Sequence, residues 1–159
     1  MRAVVQRVKG AEVLVGGASK GAIGQGLCIF LGVMRGDSSA DGRWMAERLA
    51  HLRVFEDLAG KMNLGFEDLV AAGATPGVLL VSQFTLAADI SPGLSKGNRP
   101  YFGGAMEPAS AAAAFEGVAA QVRQLLPAGV ALATGVFGAS MLVRIDNDGP
   151  LTLWLDSRK

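Results

Sequence analysis

Two predominantly apolar segments constrain the fold of this chain more than any other feature of its sequence. Leu27 to Val33 is apolar throughout, and Val78 to Phe84 is apolar except at Ser82 and Gln83. A half-exposed strand alternates apolar and polar residues, whereas a strand covered on both faces is apolar throughout. We therefore expect two buried strands.

Two helices are expected between and after these runs, over about residues 41–53 and 109–126. Cap-type residues precede the first, and a proline and a glycine follow the second. Apolar side chains recur at helical spacing along one face of each helix. They are Met45, Leu49 and Leu52 in the first, and Phe115, Val118, Ala119, Val122, Leu125 and Leu126 in the second.

Shorter apolar segments predict the remaining strands, over residues 2–9, 11–16, 20–23, 130–134, 141–147 and 151–155. Runs of strands on both sides of two helices favour an α/β fold. We expect mixed β-sheets with two main helices packed on one side. No repeat or linker divides the chain, so residues 1–159 are expected to form a single domain.

Composition excludes several classes of function. Cys28 is the only cysteine and His51 the only histidine, so no metal site is predicted. No apolar run reaches the roughly 18 residues of a membrane span, and the cysteine content fits a reducing, cytoplasmic location. The formal net charge of +1 gives no case for binding DNA or a long duplex. An RNA partner would be contacted locally, at one end of the molecule.

Familiar catalytic and cofactor patterns are also missing. The glycine-rich segment 21–26 precedes a strand, whereas a phosphate-binding loop must open a helix, so no cofactor is predicted. A serine or threonine nucleophile needs an imidazole beside it, and His51 lies in a predicted helix without a partner. Carboxylate pairs such as Glu56-Asp57 flank turns and show no metal-loop pattern. Any catalysis therefore has to work without a histidine base.

The segment Ser82-Gln83-Phe84-Thr85-Leu86 is the first candidate for a functional site. It stands at the carboxyl end of the second buried strand, where the chain enters a long loop over residues 87–107. Functional groups often lie at strand ends, because the scaffold is rigid and the amides of the exit turn are free. The alternative is an ordinary Ser/Thr turn that ends the strand.

The segment Asn147-Asp148-Gly149-Pro150-Leu151-Thr152 is the second candidate. Asn-Asp-Gly alone is typical of a hairpin turn. Pro150 removes an amide donor and restricts Gly149, so the direction of the Gly149 carbonyl is tightly set. On composition a plain turn remains the alternative, and the sequence leaves both isomers of the Gly149–Pro150 bond open.

Taken together, these two segments resemble the two signature motifs of the D-aminoacyl-tRNA deacylases, the D-tyrosyl-tRNA deacylase family. The resemblance extends over nearly the whole chain, in order and spacing. It includes residues 1–8, 26–33, 53–57 and 60–63, and Phe137-Gly138-Ala139.

The resemblance implies hydrolysis of the ester of D-aminoacyl-tRNA, and of glycyl-tRNA, by a cytoplasmic homodimer. Its dimer interface is β-rich and contains the active sites. Gly149 and Pro150 form a Gly-cisPro motif that enters the partner's site and rejects L-amino acids. The backbone amides near Phe84 and Thr85 act as an oxyanion hole, and the 2′-hydroxyl of the terminal ribose assists the attack.

The resemblance also suggests roles for single residues. Thr85 positions the substrate, and its role as nucleophile stays open because no base is apparent to activate it. Ser82 and Gln83 complete the catalytic set, with Gln83 orienting the terminal adenosine or the pocket wall. Arg7 holds the Gly149-Pro150 loop, and Ala111 lines the pocket.

The chain departs from the family pattern at the pocket rim. The loop Ala87–Asn98 is longer than in many members, and Tyr101, Val136 and Leu151 stand where other residues are common. These departures affect substrate preference more than reaction type. Two alternatives stay open: an editing deacylase with shifted specificity, and a non-catalytic module that binds the tRNA end.

Overall fold

A computed structural model describes residues 1–91, 93 and 97–159 of the chain. In these residues the fold consists of eight strands, three α-helices and a short 3-10 helix. In chain order the elements are β1 (Arg2–Val15), β2 (Ala18–Ile23), β3 (Gly26–Gly32), α1 (Ser39–Ala50), β4 (Phe55–Glu56), β5 (Met62–Leu64), α2 (Phe66–Ala71), β6 (Gly77–Ser82), the 3-10 helix (Phe84–Ala87), α3 (Pro108–Leu125), β7 (Ala131–Thr134) and β8 (Leu142–Asp156).

Six of these strands form one mixed sheet in the order β2-β1-β3-β6-β7, with β8 paired to β1. β1 is antiparallel to β2, β3 and β8, whereas β3–β6 and β6–β7 are parallel pairs. Parallel neighbours need crossover connections, which contain α1 and α3. Both crossovers step in the same direction across the sheet, so right-handed connections place both helices on one face. The predicted mixed sheet with two main helices on one side is confirmed.

The main hydrophobic core lies between this sheet and the two helices. Met45 and Leu49 of α1 and Phe115 and Val122 of α3 are fully buried there. Each such side chain contributes roughly 1.5–3 kcal/mol of hydrophobic free energy. The apolar stripes predicted from helical spacing are therefore the faces that pack on the sheet, except at Leu125, which is 38% exposed at the end of α3. Leu52 lies beyond the end of α1 and packs at the edge of this core.

The other face of the sheet curves into a nearly closed barrel with its own apolar interior. Val8, Val13 and Cys28 are buried in it. The two ends of the sheet approach so closely that a Cβ at Gly21 of β2 would lie 3.0 Å from the Cβ of Ala133 in β7. Both faces of β3 and β6 are thus covered, which explains why consecutive residues of each strand are apolar, Leu27–Leu31 in β3 and Val78–Val81 in β6.

The C-terminal strand differs most from the sequence prediction. Two strands over residues 141–147 and 151–155, separated by a turn, were expected, whereas the structure has the single strand β8. β1 pairs with β8 on both sides of Gly149-Pro150, and the register shifts opposite Arg7. The motif is therefore a bulge within a long strand, where the chain does not reverse direction. β1 likewise joins the first two predicted strands into one.

The loop after β6 also differs from the prediction. β6 ends at Ser82, and Phe84, expected at the end of the strand, opens the 3-10 helix. Residues 92 and 94–96 of the longer loop 87–98 lie outside the described residues. In the part of the chain that the structure describes, no helix is both long and apolar enough to cross a membrane.

Candidate active site

A cavity of about 970 Å³ opens at the carboxyl end of β6. Apolar side chains form much of its wall: Phe102, Phe115, Phe137, Met141 and Val143. Its polar and charged lining includes Arg35, Ser82, Gln83 and Glu107. A large apolar cavity with a few polar groups is typical of a small-molecule site.

The first motif forms one wall of this cavity. The backbone amide of Gln83 donates to the Leu31 carbonyl at 2.8 Å, and its side-chain amide donates to the Thr85 hydroxyl at 2.6 Å. Phe84 is 60% exposed and sets its ring edge against Phe102, with centroids 5.2 Å apart. Gln83 and Phe84 line the cavity, whereas Thr85 does not.

The backbone amides at the start of the 3-10 helix are available for binding. The Leu86 amide donates to the Gln83 carbonyl at 3.3 Å. The amides of Phe84 and Thr85 precede it, and the first amides of a helix have no partner within that helix. Adjacent free amides can stabilise an oxygen that becomes negatively charged. Among the described residues these two amides have no hydrogen-bond acceptor, and they remain the candidates for the predicted oxyanion hole.

Close packing of β3 fixes the position of this turn. A Cβ on Gly32 would lie 2.8 Å from the Gln83 carbonyl oxygen and 3.0 Å from the Leu86 Cβ. Both distances are shorter than ordinary van der Waals contact. Glycine at this position therefore lets the exit turn lie directly on β3.

The first turn of α3 forms another part of the wall. The Glu107 carboxylate accepts hydrogen bonds from the amides of Ala109 at 3.1 Å and Ser110 at 3.2 Å. These bonds hold the pKa of Glu107 below its usual value, so the cap is ionised at neutral pH. Ala111 is buried and lines the cavity, as expected of a pocket residue.

The second motif lies elsewhere on the sheet. Gly149 and Pro150, joined by a cis peptide bond, are exposed and do not line the cavity. They lie opposite Arg7 of β1, whereas Ser82 lies level with Ala3. The two motifs are therefore separated by roughly 13 Å along the strand direction, from Arg7 to Ala3. They are also separated by roughly 14 Å across the sheet, the three interstrand spacings from β8 through β1 and β3 to β6. One chain by itself does not bring them together.

Arg7 ties the second motif to the neighbouring hairpin. It is only 5% exposed, and its guanidinium donates to the Val54 carbonyl at 2.8 Å and to the Glu56 carboxylate at 3.0 Å. Its Nε lies 3.1 Å from an Asp148 carboxylate oxygen, in an ion pair that is not aligned as a hydrogen bond. The residue before Gly149 is therefore anchored to a buried cation.

The remaining titratable candidates lie away from the cavity. His51 is exposed at the end of α1, with its Nδ1 2.9 Å from the Glu47 carbonyl oxygen. Cys28 is buried in the barrel, where desolvation raises the pKa of its thiol to about 12. Over residues 1–91, 93 and 97–159, no group of three or more His, Cys, Asp or Glu side chains could hold a metal ion.

Several cavity residues do not follow from the sequence as site residues, among them Arg35, Phe102 and Met141. Arg35 is brought to the cavity because its amide donates to the Gly104 carbonyl at 2.8 Å, which joins the end of β3 to the distant loop. Such a pairing leaves no local sequence pattern. Phe102 stands out only as an aromatic residue in a long loop, which is a weak signal.

Comparison with known sequences defines the class of protein. A family model described as D-Tyr-tRNA(Tyr) deacylase matches residues 4–156. The D-aminoacyl-tRNA deacylase of Anaeromyxobacter dehalogenans is 50% identical, over 100% of this chain and 99% of that protein. The D-aminoacyl-tRNA deacylase of Myxococcus xanthus is 49% identical, over 99% and 95%. These relatives are named as hydrolases of the aminoacyl-tRNA ester, the enzyme class predicted from the sequence.

The chain belongs to the D-Tyr-tRNA(Tyr) deacylase family, as the two motifs predict. Solved structures show the same fold. The c-Myc DNA Unwinding Element Binding Protein superposes with a TM-score of 0.81 at 38% identity, over 98% of each chain. A probable eukaryotic D-amino acid tRNA deacylase superposes with a TM-score of 0.77 over 97% of each chain. At 16% identity, the latter likeness concerns the fold alone.

Proposed function

We propose that this chain hydrolyses the ester bond of D-aminoacyl-tRNA and releases a free D-amino acid and tRNA. The observation that carries the proposal is the apolar cavity next to the free amides of Phe84 and Thr85. The cavity can accept apolar and aromatic side chains without reading their chemistry. Glycine needs no side-chain space, so we include glycyl-tRNA among the substrates. Membership of the deacylase family supports the same reaction.

The chemistry follows from the groups at the cavity. Water adds to the ester carbonyl carbon, negative charge develops on the carbonyl oxygen, and the ribose 3′-oxygen leaves with a proton. The amides of Phe84 and Thr85 stabilise that charge, and one such donor accounts for about 10²–10³ in rate. The Thr85 hydroxyl is bonded to the side-chain amide of Gln83, which is not a base. We therefore assign Thr85 a positioning role and assign assistance of the attack to the terminal 2′-hydroxyl.

Two changes separate these roles. A tRNA that ends in 2′-deoxyadenosine and carries D-tyrosine on its 3′-oxygen should react at least about 100-fold more slowly than the ribose form, because it lacks the assisting hydroxyl. Thr85→Val keeps the shape of the side chain and should lose no more than about tenfold. The opposite pattern, with the variant inert and the deoxy substrate fully reactive, would make Thr85 the nucleophile.

A second copy of the chain completes the site in this proposal. Gly149 and Pro150 are exposed and remote from the cavity of their own chain. Trp154 is 50% exposed on β8, and it pairs across the strands with Val4, which pairs with Phe30. Cross-strand partners share a face, so these three side chains form an apolar strip suited to burial in a β-rich dimer.

Chiral selection then takes place at the dimer interface. Gly149 and Pro150 of each chain reach the partner's cavity, and their backbone occupies the space that the side chain of an L-amino acid would need. The buried Arg7 holds Asp148 and, with it, the position of the motif. Rejection by backbone rather than by side chains permits many D-amino acids.

Complementation between defective chains tests this arrangement. Ala111→Phe fills the cavity, and Gly149→Val places a side chain against the Arg7 guanidinium, 3.1 Å from the position of a Cβ. Ala111→Phe alone should be inactive, whereas Gly149→Val alone should hydrolyse both D- and L-tyrosyl-tRNA, because its displaced motif no longer rejects the L side chain. Coexpression in equal amounts should halve the rate on L-tyrosyl-tRNA per Gly149→Val chain, because half of those chains then face the intact motif of an Ala111→Phe partner.

The matched control is coexpression of Gly149→Val with the double variant, which supplies no intact motif in any pairing. This mixture should keep the full rate on L-tyrosyl-tRNA per Gly149→Val chain. If the first mixture also keeps that rate while the variants still form mixed dimers, the motif does not act on the partner's cavity.

A further inference from the structure

A second cavity, which the proposed reaction does not use, adjoins the first. Its volume is about 420 Å³, and Arg35 lines both cavities. The second cavity is the more polar, with Arg2, Arg158, Asp89 and Asp156 in its lining and one exposed aromatic side chain, Tyr101.

Two of the three arginines in this cavity are already paired. The Arg2 guanidinium lies 3.3 Å from Asp156, and that of Arg158 lies 2.7 Å from Asp37. The exposed guanidinium of Arg35 makes no ion pair with any described residue. Its backbone is fixed, because the Arg158 guanidinium donates to the Arg35 carbonyl at 2.7 Å. Arg35 is therefore a positioned cation available to an anionic ligand at the junction of the cavities.

Tyr101 supplies a fixed aromatic surface in the second cavity. Its amide and carbonyl pair with the backbone of Asp89 at 2.9 and 2.8 Å. Its ring lies directly on Gly103, where a Cβ would overlap the phenol group. The ring is nevertheless 64% exposed. A rigid, exposed aromatic ring beside a cation is the arrangement on which single-stranded nucleic acid stacks.

Asp89 adds a hydrogen-bond acceptor next to this ring. Its carboxylate accepts the Ser91 amide at 2.8 Å. Hydrogen bonds from the Ser91 hydroxyl and amide hold the pKa of Asp89 below its usual value. The carboxylate is therefore ionised at neutral pH and can accept a hydrogen bond from the exocyclic amino group of a base, as carboxylates do with cytosine.

We propose that the second cavity binds the penultimate nucleotide of the tRNA acceptor end, a cytidine. Its base stacks on Tyr101 and donates its amino group to Asp89. The phosphodiester that joins it to the terminal adenosine pairs with Arg35, at the border between the cavities. This inference rests on the proposed function, because the terminal adenosine and its amino acid must occupy the first cavity.

Two esters of different length test the inference. One is 3′-O-D-tyrosyl-adenosine, and the other is the same ester on the dinucleotide cytidylyl-adenosine. For the wild-type protein the dinucleotide ester should show a KM lower by about tenfold, because it adds one charge-assisted phosphate contact and one stacked base. Tyr101→Ala should remove most of that difference while leaving kinetics on the adenosine ester unchanged, because Tyr101 lines only the second cavity. Arg35→Ala should raise the KM of the dinucleotide ester several-fold more than that of the adenosine ester, because only the dinucleotide carries the phosphodiester.

The matched control is Arg43→Ala, which removes an exposed arginine of α1 that lines neither cavity. It should preserve the full difference. Arg35→Ala should also reduce the slope of log KM against log salt for the dinucleotide ester by about 0.7.

Failure of the inference and failure of the proposed function give different results. If the wild type hydrolyses both esters equally well, or if Arg35→Ala and Tyr101→Ala impair both esters to the same degree, the second cavity does not bind the cytidine. The deacylase function then still stands. If the wild type hydrolyses neither ester nor full-length D-tyrosyl-tRNA, the proposed function fails and the inference fails with it.

Discussion

Gly32→Ala perturbs the turn that carries the proposed oxyanion hole without changing any group that we propose to touch the substrate. The new Cβ would lie 2.8 Å from the carbonyl oxygen of Gln83 and 3.0 Å from the Cβ of Leu86. Relief of these contacts requires the turn to move away from β3 by roughly half an ångström. Because the Gln83 carbonyl accepts the Leu86 amide, the 3-10 helix has to move with it.

The expected cost has two parts. Overpacking of this kind destabilises a protein by about 1–3 kcal/mol, which urea denaturation measures directly. A shift of the Phe84 and Thr85 amides relative to the ester oxygen should lower kcat for D-tyrosyl-tRNA by about 10- to 100-fold, since misplacement by about 1 Å costs on the order of 100-fold. KM should change less, because the apolar wall outside this turn, including Phe115 and Met141, stays in place.

Gly24→Ala is the matched control, because a Cβ at Gly24 would meet no atom within 4 Å. It should leave both stability and kcat at wild-type values. A folded Gly32→Ala protein with undiminished kcat would refute the assignment of the oxyanion hole to this turn.

Three further substitutions have defined outcomes. Gly117 lies within α3, and a Cβ there would meet no atom within 4 Å. Gly117→Ala should therefore raise the free energy of unfolding by about 0.5–1 kcal/mol in urea denaturation, because alanine favours the helix, and a loss of stability would contradict the open space at this position. Asp41→Ala should cost about 1 kcal/mol at pH 7, since the Asp41 carboxylate caps α1 through the Ser38 amide. Hydrogen bonds from that amide, and from serine hydroxyls, lower the pKa of Asp41 in the folded protein. The stabilisation that Asp41 provides is therefore fully present above the pKa of the unfolded chain, about 3.9, and is lost as the pH falls towards the lower pKa of the folded state. Denaturation at pH 7 and at pH 2.5 should therefore show the difference from wild type shrinking in acid, and a constant difference would contradict this cause. In Arg7→Lys the ammonium cannot satisfy all three partners of the guanidinium, so thermal denaturation should show a free energy of unfolding lower by about 1–3 kcal/mol. The loosened Asp148 should also allow measurable hydrolysis of L-tyrosyl-tRNA.

The central elements of the fold could be predicted because burial leaves a local pattern. Met45 and Leu49 recur at helical spacing because that face of α1 packs on the sheet, and Phe115 and Val122 do so in α3. The apolar run of β3 follows from coverage on both of its faces. These signals depend only on neighbours along the chain.

The bulge in β8 could not be predicted in this way. Asn147-Asp148-Gly149 has the composition of a hairpin turn, and only the pairing of β1 with both halves of β8 shows that the strand continues. The position of Arg35 at two cavities depends in the same way on a distant backbone hydrogen bond to Gly104. Both features come from pairings between remote segments, which leave no trace in local sequence.

The site was predictable in part. Ser82, Gln83, Phe84 and Ala111 were expected at the pocket and line the cavity. Thr85 does not line the cavity, and its function remains a prediction. The separation of the two motifs within one chain follows from strand order and register, which composition and spacing do not encode.

The most direct test of this account is the rate of ester hydrolysis for D-tyrosyl-, L-tyrosyl- and glycyl-tRNA, with all three amino acids charged on the same tRNA and the enzyme well below the substrate concentration. The account predicts rapid loss of the D-tyrosyl and glycyl esters, while the L-tyrosyl ester decays only at its spontaneous rate. Comparable rates for the two tyrosyl esters, or no catalysed hydrolysis of either, would contradict it.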